Sequence, residues 1–211
     1  MPLIRLEPPK TPKPRKACIP MHRALHWKSP VENGATEPAV LVFVAPRAFK
    51  QINDHARSDL DNEVGGWLIG KWRQDKTSDR QYIVVENNLP APFTRQGRAF
   101  LTFTQDTQVA LKNLLEERFP SKELVGWYHT HPNMGIFLSS YDSWLHDHFF
   151  SMDYQVALVV EPHTSTGGFF IRGMDGGLDS RRYYGFYELI NRKWGSVVHW
   201  PNIFPAAENL K

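Results

Sequence analysis

Cysteine and long apolar runs are nearly absent from this sequence. Cys18 is the only cysteine among 211 residues, which excludes a disulfide scaffold, a cysteine-rich zinc site and CxxC redox chemistry. The longest apolar run covers residues 39–45, far short of the roughly 20 residues that cross a bilayer. The first residues also lack the apolar core of a signal peptide. Together, these absences favour a protein of the reducing cytoplasm with no membrane partner.

Positive charge is concentrated at one end of an otherwise globular composition. The chain is 41% hydrophobic and 13% aromatic, which excludes a fully disordered or collagen-like protein. Residues 1–29 contain seven Lys or Arg residues and one Glu, whereas the whole chain carries a net charge of only +3. The rest of the chain is therefore slightly acidic, and its composition does not predict a nucleic-acid-binding domain.

Proline divides the chain into a tail and a domain. Residues 1–38 contain eight prolines and little apolar periodicity, which predicts a basic, flexible tail with a polyproline-like stretch at residues 8–16. A docking arm for a partner protein and a nucleic-acid-binding arm are the two alternatives for this tail. We expect the folded domain over residues 39–195 and a C-terminal tail over residues 196–211.

Apolar periodicity predicts both strands and helices within that domain. Short apolar runs predict strands at residues 39–45, 64–72, 82–86, 99–103, 124–130, 154–160 and 168–172. Helical spacing predicts helices that begin at Pro46, that end before Pro120, and that cover residues 140–150. Residues 183–190 fit either a strand or a helix. Mixed strands and helices around one core predict an α/β or α+β sandwich.

Two histidines and one aspartate in residues 126–142 have the spacing of metal ligands. If the run that ends at Thr130 is a strand, His129 and His131 point to the same side, as two imidazoles on one metal must. Asp142 falls in the first turn of the next helix, where the helix dipole stabilises an anion. These three ligands would leave a fourth tetrahedral position for water, as in catalytic zinc sites. The alternatives are a pair of ordinary sheet histidines and an aspartate that only caps the helix.

The order of these residues resembles the JAMM motif of the MPN-domain zinc metalloproteases. That motif is carried by His129-Thr130-His131-Pro132, then six residues to Ser139, then two residues to Asp142. The same family has an upstream glutamate before a glycine-containing strand, and Glu63 is similar to that residue.

Two later runs extend the resemblance over about residues 39–190. Residues 159–162 and 167–170 are similar to the closing strands of the family. The resemblance implies the MPN fold, a mixed β-sheet flanked by helices that is similar to the core of cytidine deaminases.

The family resemblance assigns a role to each motif residue. His129, His131 and Asp142 would hold one Zn²⁺, which lowers the pKa of a coordinated water to near 7. Glu63 would accept the proton of that water and pass it to the leaving amine. Ser139 would donate a hydrogen bond to the developing oxyanion. The alternatives are an exposed charge at a helix end for Glu63 and a helix cap for Ser139.

Several neighbouring residues remain open. His146 lies one helical turn beyond the third ligand, and it fits a fourth ligand, a residue that supports or borders the site, or a surface histidine. His148 is predicted to lie in the core, on the apolar side of the helix. Trp127 and Tyr128 fit either core positions or a substrate platform. The apolar residues 134–138 fit either packing on the sheet or one wall of a substrate groove.

The resemblance implies a zinc isopeptidase that removes a ubiquitin-like protein from its conjugate or trims its C-terminus. The substrate would offer an extended tail beside a sheet edge. The short segments between predicted strands are typical of prokaryotic members, which process sulfur-carrier proteins or ubiquitin-like modifiers and sometimes accompany activating and conjugating enzymes. Two alternatives are a non-catalytic MPN scaffold subunit, which need not bind zinc, and a zinc hydrolase of a small amide or peptide.

Overall fold

A mixed β-sheet forms the frame of the fold. The computed structural model describes residues 13–32, 34, 36–91, 94–97, 100–103, 105–190 and 195–206. The strands are β1 (Arg15–Ala17), β2 (Ala24–Lys28), β3 (Leu41–Val44), β4 (Gly65–Asp75), β5 (Gln81–Pro90), β6 (Thr94–Gly97), β7 (Phe100–Phe103), β8 (Glu123–Thr130), β9 (Val156–Glu161), β10 (Thr166–Phe170), β11 (Phe186–Leu189) and β12 (Phe204–Pro205). The helices are α1 (Pro46–Ala56), α2 (Gln105–Arg118) and α3 (Ser140–Phe149). None of these described helices is long and apolar enough to cross a membrane.

The main sheet combines parallel and antiparallel pairs. Its order is β10-β9-β8-β4-β5-β3-β11-β2-β12, and β1 pairs with the C-terminal end of β4. The parallel pairs are β8–β9, β3–β5, β3–β11 and β1–β4, while β6 and β7 form a separate hairpin. A mixed sheet with three helices confirms the predicted sandwich class. Residues 183–190, which fitted either element, contribute strand β11.

Helices cover both faces of the sheet. On one face, α1 buries Ile52 against a cluster that includes Leu68 and Leu158. On the other face, Leu111 of α2 and Leu145 of α3 join a second buried cluster. Successive strand residues point to opposite faces, so one strand can feed both clusters. The central strands therefore lie in the middle of the molecule, between the two buried clusters, and their ends lie at the candidate site.

The described part of the basic N-terminal segment belongs to the sheet. Arg15 of β1 pairs with Arg73 of β4, and Trp27 of β2 pairs with Phe186 of β11. This corrects the expectation that the domain begins only at residue 39. The strands lack an apolar run because each is only partly buried, so their short sequences resemble a tail. The polyproline-like stretch at residues 8–16 lies mostly outside the described residues.

The described part of the C-terminal segment is also packed on the domain. Trp200 and Ile203 are buried in the cluster under α1, and the Trp200 indole donates a 2.9 Å hydrogen bond to Asn53. The buried carboxylate of Glu188 accepts a 2.6 Å hydrogen bond from the backbone N–H of Val197. Residues 196–206 therefore differ from the expected tail, because long-range contacts rather than local periodicity hold them in place.

The side of α3 that faces the sheet is not the apolar side that its sequence pattern predicts. Asp142, Leu145 and His146 are its buried residues, whereas Trp144 is 46% exposed. His148 is exposed and stacks on Trp144 with ring centroids 4.6 Å apart, which corrects its predicted core position. The inward face carries polar residues for the candidate site, and aromatic residues therefore lie on the outer face.

Candidate metal and catalytic site

The end of β8 and the start of α3 bring three ligand atoms together. The Nε2 atoms of His129 and His131 are 2.9 Å apart. Asp142 Oδ1 lies 3.4 Å from His129 Nε2, and its Oδ2 lies 3.7 Å from His131 Nε2. All three residues are buried. The backbone N–H of His131 donates to the carbonyl of Val160 at 2.9 Å, so pairing with β9 continues past the end of β8 and fixes the second histidine.

The geometry of this His-His-Asp cluster fits a zinc ion. Zinc takes imidazole and carboxylate ligands at about 2.0–2.2 Å, so neighbouring ligand atoms of a tetrahedral site are about 3.3–3.4 Å apart. The two imidazole nitrogens are 2.9 Å apart, and those of His129 and His131 lie 3.4 Å and 3.7 Å from Oδ1 and Oδ2 of Asp142, respectively; these distances lie on both sides of that value. Three protein ligands also leave one tetrahedral position open, as catalytic rather than structural zinc sites do.

Asp142 and Ser139 form a reciprocal cap on α3. The backbone N–H of Asp142 donates to Ser139 Oγ at 3.1 Å, and the backbone N–H of Ser139 donates to Asp142 Oδ2 at 2.7 Å. Burial alone would raise the pKa of Asp142, but His129, together with hydrogen bonds from His129, His131 and Ser139, holds that pKa well below its usual range. Capping and metal binding are compatible here, because the carboxylate has two oxygens with several lone pairs.

Glu63 reaches the same site from the start of β4. Its Oε1 lies 3.9 Å from His131 Nε2, and its Oε2 is buried with no hydrogen-bond partner among the described groups. Burial raises its pKa to about 7; His131 acts in the opposite direction, and the nearby charge of Asp142 adds to the increase. Glu63 is 2% exposed, so it is not a solvated charge at a helix end.

Thr130 and Gly65 explain how β4 is held against β8. The backbone N–H of Val64 donates to Thr130 Oγ1 at 2.9 Å, and the Thr130 N–H donates to the carbonyl of Val64 at 2.8 Å. Gly65 is needed for the close approach, since a Cβ there would lie 2.4 Å from the carbonyl oxygen of Tyr128. The sequence assigned Thr130 no role, and its buried contact with the residue after Glu63 appears only in three dimensions.

His146 and Trp127 lie behind the ligands rather than among them. The candidate ligand group found in the described residues comprises His129, His131 and Asp142. His146 is fully buried, and its Nδ1 accepts a 3.1 Å hydrogen bond from the Trp127 indole. Trp127 and Tyr128 are themselves fully buried, which supports core positions for both residues over an exposed substrate platform.

A loop after His131 forms the wall of a groove beside Ser139. The groove has a volume of about 650 Å³ and is lined by residues that include Phe137, Ser139 and Arg181. Glu161, at the end of β9, accepts a 3.0 Å hydrogen bond from the backbone N–H of Asn133 and thereby anchors the start of this loop. The sequence motif includes neither Arg181 nor Glu161. The only sequence signal for the role of Glu161 is an acidic residue that directly precedes a turn.

These observations define a candidate metallohydrolase, with a buried His-His-Asp cluster and a nearby carboxylate at the end of a mixed sheet. A model of the family described as "JAB1/Mov34/MPN/PAD-1 ubiquitin protease" matches residues 39–155. The chain therefore belongs to this family, as the motif predicted.

Curated relatives and a solved structure are similar to this chain over two thirds of its length or slightly less. The 26S proteasome non-ATPase regulatory subunit 14 of Drosophila melanogaster is 26% identical over 140 residues, and the ubiquitin carboxyl-terminal hydrolase RPN11 of Saccharomyces cerevisiae is 26% identical over 138 residues. These matches cover 66% and 65% of this chain but only 44% of each relative. The solution structure of a Desulfitobacterium hafniense protein is 22% identical, with a TM-score of 0.49, and the match covers 67% of this chain and 90% of that one.

Proposed function

We propose that this chain is a zinc-dependent isopeptidase or peptidase that cleaves a ubiquitin-like protein from its conjugate or trims its C-terminus. The observation that carries the proposal is the convergence of Glu63 with His129, His131 and Asp142 in a buried site of a family member. Two relatives are named as a proteasome subunit and as a ubiquitin carboxyl-terminal hydrolase, which supports a substrate of the ubiquitin-like class.

The three ligands define what a bound metal contributes. A zinc ion held by His129, His131 and Asp142 would supply Lewis acidity, lower the pKa of a water molecule and polarise the scissile carbonyl. The ligands come from the end of β8, the residue after it and the first turn of α3, so they are fixed by sheet pairing and by a helix cap. This rigidity favours a site that is formed before substrate arrives.

Glu63 is suited to transfer the proton. It takes a proton from the attacking water as the water oxygen bonds to the carbonyl carbon, and it delivers that proton to the leaving amine as the C–N bond breaks. Its Oε2 has no competing hydrogen bond from the described groups, and its Oε1 lies 3.9 Å from a ligand atom of His131. Glu63 therefore lies close to the ligand cluster and has an oxygen, Oε2, that is available for the proton.

Ser139 is suited to hold the oxyanion while it caps the helix. The cap uses a lone pair of Oγ, which accepts from the Asp142 N–H, so the hydroxyl hydrogen can be donated elsewhere. Ser139 is only partly buried and lines the groove, so a substrate carbonyl can reach it. Donors that meet charge as it develops lower the barrier more than they strengthen substrate binding.

The groove beside Ser139 supports an extended substrate tail. Ile136 and Phe137 form an apolar wall, and Arg181 adds a cation at the rim. A chain end with small residues could lie along such a groove with its scissile bond at the ligands. On this basis the partners are a ubiquitin-like protein or its conjugate, with activating or conjugating enzymes as possible associates in the cytoplasm.

The test compares a protein substrate with a small one. Purified enzyme with measured zinc content is incubated with a ubiquitin-like protein fused at its C-terminus, and separately with a short peptide of the same junction. We expect cleavage of the fusion, and its loss in Glu63→Gln with zinc retained. The matched control is Glu116→Gln, an exposed glutamate on α2. Cleavage of the peptide alone would instead support the small-amide hydrolase, and a zinc-free, inactive wild type would support the scaffold.

A further inference from the structure

The two candidate histidine ligands are oriented in different ways. Metal-binding histidines usually hold their ring by a hydrogen bond from the second nitrogen to a carbonyl, carboxylate or water. For His131, Nδ1 lies 3.2 Å from the carbonyl oxygen of Gly135, which is such a partner. For His129, Nδ1 is buried and has no hydrogen-bond partner among the described groups. Another contact must therefore fix the plane of the His129 imidazole.

That contact is the indole of Trp127. The two rings are stacked with centroids 4.6 Å apart and planes inclined by only 9°. Both side chains are fully buried, and they share one side of β8 because they are two residues apart. The flat face of the indole restricts tilting of the imidazole. This restriction depends on how firmly the indole itself is fixed.

His146 fixes the indole. Trp127 Nε1, which can only donate, gives a 3.1 Å hydrogen bond to Nδ1 of His146. Phe150 stacks on the indole at 5.6 Å, which restricts movement normal to the ring but not rotation in its plane. The hydrogen bond to α3 restricts that rotation, because it attaches the edge of the indole to a second element.

Arg172 fixes His146 in turn. Its guanidinium lies against Nε2 of His146 and donates a 2.8 Å hydrogen bond to Asp147 Oδ1. Burial, and then the charge of Arg172, lower the pKa of His146 to about 3, so the ring is neutral and can accept a hydrogen bond. A neutral imidazole accepts at only one nitrogen, so with Nδ1 accepting from the indole, Nε2 carries the hydrogen and Arg172 restrains the ring by packing against it. The contacts thus run from Arg172, two residues after β10, through α3 to β8.

We propose that His146 is a positioning residue for the metal site, acting through Trp127 on the orientation of His129. The proposal rests on the metal centre of the proposed function and assigns it a support that lies outside the ligand motif. The imidazole of His146 contacts Trp127 and Arg172 and is not part of the candidate ligand group, so its effect must appear in metal affinity and ligand geometry.

The test measures metal binding without any activity assay. The dissociation constant for Zn²⁺ is obtained by competition with a chelator, and the visible spectrum of the Co²⁺-loaded protein reports ligand geometry. We expect His146→Ala to weaken Zn²⁺ binding by about 10- to 100-fold, as loss of ligand support does, and to alter the Co²⁺ spectrum. His146→Gln keeps an acceptor for the indole and should restore most of the affinity. His148→Ala, on the exposed side of α3, is the matched control and should match the wild type.

A double-mutant comparison separates positioning from general destabilisation. Trp127→Phe keeps a stacking ring but has no N–H, so His146→Ala should cost little further affinity in that background. Equal Zn²⁺ affinity and identical Co²⁺ spectra in wild type, His146→Ala and Trp127→Phe would overturn the inference. If His146→Ala does not fold, Trp127→Phe carries the test alone, because it removes the same hydrogen bond from its other end. Failure of the wild type to bind zinc would instead contradict the proposed function.

Discussion

The close approach of β4 to β8 at Gly65 provides a sharp test of how the site is built. Replacing Gly65 with Ala would add a Cβ 2.4 Å from the carbonyl oxygen of Tyr128 and 3.2 Å from the Cα of His129. Both neighbours are backbone atoms in a paired strand, so neither can rotate away. Restoring an ordinary contact of 3.4 Å requires a local separation of the strands by about 1 Å.

The expected cost follows from that displacement. Overpacking of a rigid core costs about 1–3 kcal/mol of the free energy of unfolding. The displacement also moves Glu63, two residues before β4, relative to ligands that come from the end of β8 and from α3. A misplacement of about 1 Å can lower turnover roughly 100-fold. We expect β4, which supplies no ligand, to take up the displacement, so zinc should remain bound; loss of zinc would show that β8 and His129 move instead.

The assay combines denaturant unfolding, zinc content and turnover on one preparation of Gly65→Ala. The matched control is Gly177→Ala, where the nearest atom to an added Cβ is Asp175 Oδ1 at 3.4 Å, an ordinary contact. If the two variants have equal stability and equal turnover, the close approach of the strands does not position Glu63 and the reasoning fails.

Other predictions address single groups of the site. Replacing both His129 and His131 with Ala should abolish stoichiometric zinc in elemental analysis; undiminished zinc would contradict the ligand assignment. Ser139→Ala should lower kcat roughly 10²–10³-fold and stability by about 1 kcal/mol through the lost cap, whereas Asp142→Ala should also lose zinc. In chelator-treated protein, His146 binds a proton in the unfolded state below pH 6.5 but in the folded state only near pH 3, so its contribution to stability should fall by about 1.4 kcal/mol per pH unit on acidification between these values. Glu63, whose pKa is raised to about 7, acts in the opposite direction at the upper end of this range. The difference in slope between wild type and His146→Gln in urea titrations therefore measures the contribution of His146.

Elements with strong local patterns could be predicted within a few residues. Pro46 begins α1 as expected, and the apolar run before it forms β3. The short strands β1, β2 and β12 were not predicted, because each gains its stability from pairing with a distant strand rather than from its own sequence. Helix α3 was located correctly, but its buried face was not, since that face carries polar groups of the site.

The sequence by itself determined which residues form the candidate ligand group. His129 and His131 share a side because strands alternate, and Asp142 follows at a spacing that a short loop and one helical turn allow, so local geometry was enough. Only the tertiary structure decided what surrounds them. Glu63 meets His131 although they are 68 positions apart in the sequence, and the contact between Arg172 and His146 joins the segment after β10 to α3. Such contacts depend on strand order and helix packing, which periodicity does not encode, because local spacing fixes only which residues share a face and not which faces meet.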